Sequence, residues 1–249
     1  MKVSVITISF NSENTISETI CSVNNQTYND IEHVFIDGCS NDKTCEIIKK
    51  VSSRNQILIS EKDNGIYDAM NKGIINSSGN IIFILNSDDS FYNKYVVAEI
   101  VDLFIEKKAE IVYGGMYVSQ QNNLKKIIRK WIPNKFELGS YKFGWHTPHP
   151  GFVVRKESYL KYGLYKTNLK IASDFELMLR FMETKKCKSF LFENPVAILR
   201  DGGSSSSLFG IIQGAKDIKK AFKMNNIQLN IYFYLIKRYL FKLNQRIFN

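Results

Sequence analysis

The sequence predicts an α/β fold: a doubly wound, mostly parallel sheet flanked by helices, with a helical extension at its C-terminal end. Three observations carry this. Apolar, strand-like runs alternate with helix-like segments through residues 1–117, the rhythm of parallel strands joined by right-handed crossovers. Acidic or amide residues stand where those strands end, the edge at which open α/β sheets bind ligands. The apolar fraction, 44% of 249 residues, supports one large domain with a sizeable core and argues against disorder.

Residues 3–9 read as the opening strand, and residues 11–26 as a helix with Ser12 placed to cap it. A second strand covers 31–36 and ends at Asp37; a helix covers 42–53, a short strand 57–60 and a helix 65–75. The run Ile81-Ile82-Phe83-Ile84-Leu85 is apolar on both faces, as a buried parallel strand requires. It ends at Asn86 and is followed by a helix over 94–107 and a strand over 110–117. The second half is less regular. Residues 124–131 can pair back onto the preceding strand, 152–155 form a short strand, 173–184 an amphipathic helix, and 188–199 an extended segment. Gly202-Gly203-Ser204-Ser205-Ser206-Ser207 has the composition of a flexible loop. Two terminal helices follow, over 208–224 and 229–248.

Four cysteines, Cys21, Cys39, Cys45 and Cys187, form no C-x-x-C pair and have no histidine at zinc spacing; they read as free thiols of a reducing compartment. The N-terminus runs straight into a strand, so no signal peptide is expected. No uncharged apolar segment reaches the length that spans a bilayer. The net charge is +10, and from residue 214 onward eight basic residues face a single acid, Asp217. Such a basic excess points to an anionic partner, a lipid surface or a nucleic acid.

The chemistry concentrates at Asn86-Ser87-Asp88-Asp89. Two carboxylates and an amide oxygen are hard ligands suited to Mg²⁺ or Mn²⁺ on a phosphate. The same residues also favour a plain polar turn. Asp37 and Asp63 end the second and third strands, so four carboxylates are aimed at one crevice. They would repel one another unless cations or hydrogen-bond donors filled it. Each alone could cap the next helix. No G-x-G-x-x-G follows the first strand, and G-x-x-x-x-G-K-[ST] is absent, which disfavours dinucleotide-binding dehydrogenases and P-loop enzymes.

In order along the chain stand Thr7-Ile8-Ser9-Phe10-Asn11, the turn from Asp37 to Thr44, the segment from Ser60 to Gly73 containing Asp63-Asn64-Gly65-Ile66-Tyr67-Asp68-Ala69-Met70-Asn71-Lys72-Gly73, then Asn86-Ser87-Asp88-Asp89, and the segment from Ala172 to Arg180. Together these resemble the inverting family 2 glycosyltransferases, which have the GT-A nucleotide-sugar-binding fold. The resemblance covers roughly residues 1 to 205. It implies a catalytic domain over 1–205, with a nucleotide-binding half at 1–117 and an acceptor-binding half at 118–205, and a basic helical tail over 206–249.

The resemblance also implies roles. Asp37 would accept the N3–H of a uracil-like base, since a carboxylate accepts and cannot donate. Asp63 would contact base or ribose. Thr7, Ser9, Phe10, Asn11 and Glu13 would line the nucleotide pocket, with Phe10 equally readable as core. Asn71, Lys72, Asn86 and Ser87 complete the donor side, although Lys72 reads equally as a solvated helix residue. Asp88, with Asn86, would hold Mn²⁺ or Mg²⁺ against the diphosphate. Asn86 stands where relatives often have an aspartate, so it is the weaker ligand. Asp89 would orient acceptor or sugar. Asp174 would be the catalytic base, removing the acceptor hydroxyl's proton as its oxygen attacks C1. Relatives often carry Glu before it, where this chain has Ser173. Asp174 can also cap its helix.

His149 can contact diphosphate or acceptor, or serve the loop alone. Trp131, Tyr141 and Trp145 can stack on sugars or fill core. Arg200, Gly202 and Gly203 resemble a loop that closes over the diphosphate and excludes water. In the tail, residues 231–248 place Leu235, Tyr239, Leu240, Leu243 and Ile247 on one helical face and Lys237, Arg238, Lys242 and Arg246 largely on the other. That pattern suits a helix lying on an anionic membrane, or one packed on the domain with its basic face in water. The expected partners are a nucleotide-sugar donor, with UDP as nucleotide, and a saccharide acceptor of the polyprenyl-diphosphate kind, in O-antigen, capsule or exopolysaccharide synthesis. The expected place is the inner face of the plasma membrane, with no nucleic-acid partner. Two other classes fit these residues less well. A nucleotidyltransferase of similar fold would carry a basic, Gly-rich first loop. A nucleic-acid-binding protein would not aim carboxylates at its ligand.

Overall fold

The computed structural model describes residues 1–202 and 208–247. Nine strands form one sheet: β1 (Val3–Ser9), β2 (Ile31–Asp37), β3 (Asn55–Ser60), β4 (Ile81–Ile84), β5 (Ser90–Phe91), β6 (Ile111–Gln120), β7 (Asn123–Trp131), β8 (Phe152–Arg155) and β9 (Ser189–Arg200). Eight α-helices accompany them: α1 (Ile16–Asn24), α2 (Thr44–Val51), α3 (Ile66–Asn76), α4 (Val96–Glu106), α5 (Lys156–Tyr162), α6 (Ser173–Leu179), α7 (Leu208–Met224) and α8 (Ile231–Ile247).

The strand order is β3-β2-β1-β4-β8-β6-β9-β5, with β7 hydrogen-bonded to β6. The first four are parallel, as the alternating pattern requires. Every residue of β1, β2 and β4 is buried, and each fully buried Val or Ile contributes about 1.5–3 kcal/mol relative to exposure. The other half is mixed. β8 is antiparallel to both β4 and β6, so it is inserted between two strands that run the same way. β6 and β7 form the expected hairpin. β5 and α5 were not anticipated; two residues and seven are too short for a pattern to show.

Helix α1 begins at Ile16, not near residue 11, and Ser12 does not cap it. The reason lies in the preceding residues, which are bonded to the turn after β2. Asn11 N–H donates to Ser40 Oγ (2.8 Å), Ser12 N–H to Thr44 Oγ1 (2.7 Å) and Glu13 N–H to Asp42 Oδ2 (3.1 Å). In return Asn41 N–H donates to Asn11 Oδ1 (3.0 Å) and Lys43 N–H to Glu13 Oε2 (3.0 Å). Asn11 and Cys39 take positive φ, 48° and 63°, to make this fit.

The opposite edge has its own knot. Glu32 is buried beneath β1 and accepts from Ser4 Oγ (2.6 Å), Lys2 Nζ (2.7 Å), and both the backbone and hydroxyl of Ser78. Burial alone would raise this carboxyl, but these donors outweigh it and hold its pKa at about 2. One side chain thus joins β1, β2 and the turn leading into β4.

The tail is not a free extension. Ile218, Ala221 and Phe222 of α7 and Tyr234 of α8 are buried in the same core as Tyr67, Tyr113, Phe175 and Met178. Helix α8 faces the domain through Tyr234 and Arg238, four residues apart; Arg238 Nη1 lies 3.1 Å from the Tyr234 hydroxyl and 3.0 Å from the His146 ring. Gly144, at φ 88°, lets the helix backbone approach, since a Cβ there would lie 2.9 Å from Arg238 N. Arg238 therefore faces inward, whereas Leu235, Ile236, Tyr239 and Leu240 are exposed.

Candidate active site

The register brings the predicted carboxylates to one edge. Ser9 pairs with Asp37 and Asp37 with Ser60, so β1, β2 and β3 end level, with Asp63 just beyond. β4 runs parallel beside β1 and delivers Asn86 to the same edge.

Asp37 is fully buried, and its oxygens accept from Ser9 Oγ (3.0 Å), Ser60 Oγ (2.7 Å), and the Ser40 N–H (2.9 Å) and Oγ (2.5 Å). Burial raises its pKa, yet these hydrogen bonds prevail and lower it. It shapes the turn and presents no open acceptor, so the base contact expected of Asp37 is not what the geometry offers. Asp63 is better placed. Its Oδ1 accepts Gly65 N–H (2.8 Å), and its Oδ2 sits beside Gly38, 2.9 Å from where a Cβ would be. The Phe10 ring flanks the same glycine and is 62% exposed, so it is not core.

Other expected donor contacts are redistributed. Thr7 is fully buried with its hydroxyl 2.9 Å from His33 Nε2, inside the sheet and away from the crevice. Asn71 uses both ends of its amide on the backbone of Tyr165, at 3.0 and 2.9 Å, and so holds the loop before α6. Lys72 is paired with Glu61 (2.7 Å) and Asp68 (3.5 Å). Ser87 is buried and shares a 2.8 Å hydrogen bond with Ser12. Asn11 and Glu13 tie the two loops together, as described.

At the end of β4 the donor set suits a divalent cation. Asp88 is exposed to the crevice. Asn86 donates its amide N–H to Asp89 Oδ2 (3.2 Å), which leaves Asn86 Oδ1 buried without a hydrogen-bond partner. An amide oxygen without a hydrogen-bond partner beside a carboxylate is a donor set whose chemistry suits hard cations. Among the described residues no cluster of three or more His, Cys, Asp or Glu side chains could hold a metal. Asp89, in contrast, is buried, and that burial, followed by the charge of Asp88, lifts it well above the usual carboxylate range. It orients Asn86 and does not reach the surface.

Burial raises the pKa of Asp88, as it does that of Asp89, and the charge of Arg200, at the end of β9, offsets part of this rise. Arg200 is bonded to Glu18 and to the Gln121 carbonyl (2.6 Å), and its Nε is buried without a partner. Gly202 has φ 119°, and Gly203 lies outside the described residues.

Asp174 opens α6 and is half-buried. The Tyr67 hydroxyl donates to the Ile171 carbonyl (2.7 Å) and lies 3.2 Å from Asp174 Oδ1. Tyr67 stands in the first turn of α3, so one helix start connects Asp63 to Asp174. His149 Nε2 is 2.9 Å from the Tyr165 hydroxyl, and burial lowers its pKa while the charge of Asp174 acts the other way. Tyr67 and Tyr165 were missed as site residues; a tyrosine within a helix pattern carries no mark separating it from core. Tyr141 and Trp145 are core. Trp131 stays half-buried, edge-to-face with His146 at 4.7 Å.

Comparison with known proteins bears on this geometry. The sequence profile of Glycosyl transferase family 2 matches residues 4–163. An uncharacterized glycosyltransferase of Mycobacterium tuberculosis is 30% identical over 249 residues, covering 98% of this chain and 94% of its own. A PGL/p-HBAD biosynthesis glycosyltransferase of the same species is 26% identical over 183 residues, 72% of this chain and 65% of its own. Among solved structures, S. aureus TarS 1-349 in complex with UDP-GlcNAc aligns with a TM-score of 0.69 at 18% identity, covering 98% of this chain and 72% of TarS 1-349. The mannosyltransferase PcManGT from Pyrobaculum calidifontis, in complex with GDP-Man and Mn2+, aligns with a TM-score of 0.65 at 16% identity, covering 96% and 69%. The fold is that of the GT-A glycosyltransferases, and the chain is an enzyme that belongs to glycosyltransferase family 2.

Proposed function

We propose that the protein transfers a sugar from a UDP-sugar to a saccharide acceptor, with a divalent cation and with inversion at C1. The observation that carries this is the level edge at which Asp63, Phe10, Asn86 and Asp88 meet. Asp63 Oδ2 accepts the N3–H of uracil, and the exposed Phe10 ring packs on the base. Asn86 Oδ1 and Asp88 hold Mn²⁺ or Mg²⁺, which neutralises charge on the leaving diphosphate. Arg200 adds a guanidinium whose Nε is still without a partner. Asp174 takes the acceptor proton, and Tyr67 holds it in place.

Calorimetry with UDP, GDP and CDP, with and without Mn²⁺, tests the donor side. UDP is expected to bind in preference to CDP, which has no N3–H, and Asp63→Asn should weaken UDP by about tenfold, the cost of a charge-assisted hydrogen bond. Equal affinity for UDP and CDP would sink the base assignment.

The acceptor is read as lipid-linked, of the polyprenyl-diphosphate kind used for surface glycans, with the enzyme on the inner membrane face. The support is the outward face of α8. Tyr232, Phe233, Ile236, Tyr239 and Leu240 are exposed there, next to exposed Phe143. The Phe143 and Phe233 rings meet edge-on at 5.9 Å, with Lys142 and Lys237 close by in sequence. An apolar ridge with basic flanks suits an anionic bilayer surface. No described helix is long and apolar enough to cross a membrane. Sedimentation with phosphatidylglycerol vesicles should carry down the wild type and leave Phe233→Ser/Ile236→Ser in solution. Equal sedimentation of both would overturn the assignment.

A further inference from the structure

The carboxylate of Asp217 is the only acid of the basic tail, and the structure buries it. It is 4% exposed on α7. Its Oδ2 accepts the backbone N–H of Ile171 (2.7 Å) and of Ala172 (3.4 Å), and its Oδ1 accepts from Gln213 Nε2 (2.8 Å). No cation pairs with it among the salt bridges of the described residues. A buried charge held only by N–H donors is retained for those bonds, because an ion in an apolar interior is otherwise costly.

The bonds fall on the segment that delivers Asp174. Ile171 is three residues before it, and Ala172, the residue that caps α6, has no side chain able to cap. The backbone of Ile171 is held at both of its polar groups: its N–H by Asp217, its carbonyl by the Tyr67 hydroxyl, which also reaches Asp174 Oδ1. The residue just after α7 also holds α6: Asn225 Nδ2 donates to Glu176 Oε1 (3.1 Å), and Asn225 Oδ1 accepts from Thr184 Oγ1 (3.1 Å). Phe222 packs on Phe175, centroids 5.6 Å apart.

We infer that Asp217 is a positioning residue for the reaction: it fixes the 171–174 segment so that Asp174 stands at the donor crevice, which makes α7 part of the active-site frame. The inference rests on the reading of Asp174 as base. Small displacements of a reacting group lower turnover sharply while leaving donor binding intact.

The test compares wild type, Asp217→Ala, Asp217→Asn and Asp174→Asn by UDP release from UDP-GlcNAc, UDP-glucose and UDP-galactose, with water as acceptor, and by hydrogen–deuterium exchange across residues 168–176. Asp217→Ala should lower kcat by about tenfold to a hundredfold, with the donor KM within about twofold, and expose the Ile171 and Ala172 amides. Asp217→Asn keeps an acceptor oxygen and should fall between alanine and wild type. If Asp217→Ala does not fold, the asparagine variant carries the test, and wild-type kcat in it overturns the proposal. Wild-type kcat in a folded Asp217→Ala protein, with Asp174→Asn inactive, overturns this inference alone. Wild-type kcat in Asp174→Asn overturns the base assignment and this inference with it, whatever the exchange shows.

Discussion

Asp174→Asn is expected to lower sugar transfer by about 10²–10⁴-fold, the usual contribution of a positioned general base, while UDP affinity stays within about twofold. The amide is the same shape and still accepts from Tyr67, so the pocket survives. What it lacks is a site for the acceptor proton. The neighbours offer no substitute. Burial raises the pKa values of the Tyr67 and Tyr165 hydroxyls, so neither ionises to act as base. His149 is the nearest alternative; burial keeps it neutral, but its Nε2 is engaged by the Tyr165 hydroxyl. The measurement is UDP release with acceptor, paired with calorimetry on the same preparation. Parallel loss of turnover and of UDP binding would place Asp174 in donor binding, and full turnover would remove it from the chemistry.

The second large effect falls on the cation. Asp88→Ala should abolish the gain in UDP affinity produced by Mn²⁺, a loss of about tenfold to a hundredfold, the range seen when a metal site loses an orienting or ligating group. UDP affinity measured without metal should stay where it is. Asn86→Ala should do less, because an amide oxygen is a neutral ligand. Asn86→Asp should strengthen metal binding by restoring a charge, unless its repulsion with Asp89, buried against it, disturbs the turn. Manganese titrations followed by electron paramagnetic resonance report the bound ion directly. Mn²⁺ binding undiminished in Asp88→Ala, at any UDP concentration, would remove this carboxylate from the site.

The parallel half and its acidic edge were legible because both are local. Each strand, each helix and each strand-ending acid falls within some thirty residues of the next, and parallel pairing makes the ends level without further information. The place of Asp63, Asn86 and Asp88 at the strand ends was readable in this way, whereas Asp174 entered through the family resemblance. The division of labour among them was not. Nothing in the spacing tells that Asp37 is closed off by three serines, that Asn71 serves a backbone 94 residues away, or that Asp89 lies inside and Asp88 outside. Likewise the short strand at 152–155 was legible but its place between β4 and β6 was not, and Asp217 acts through contacts set by the packed core, which one acid in a basic helix does not betray. The tail was read correctly as helical and amphipathic. Which face would be inward was missed, because Arg238 looks solvated until His146 and Tyr234 are placed beside it.

The insertion of β8 also governs the order in which the chain can be assembled. β4 emerges from synthesis long before its second neighbour, since Ile81 pairs with Arg155. During that interval β1, β2 and β3 can close on one side, while the other side of β4 presents unpaired N–H and C=O groups on an all-apolar strand. Such an edge is a template for pairing between nascent chains. The long sequence separation makes closure slow compared with the first half. Fragments that stop before residue 152 therefore retain a sticky edge, and chains that reach residue 155 can seal it.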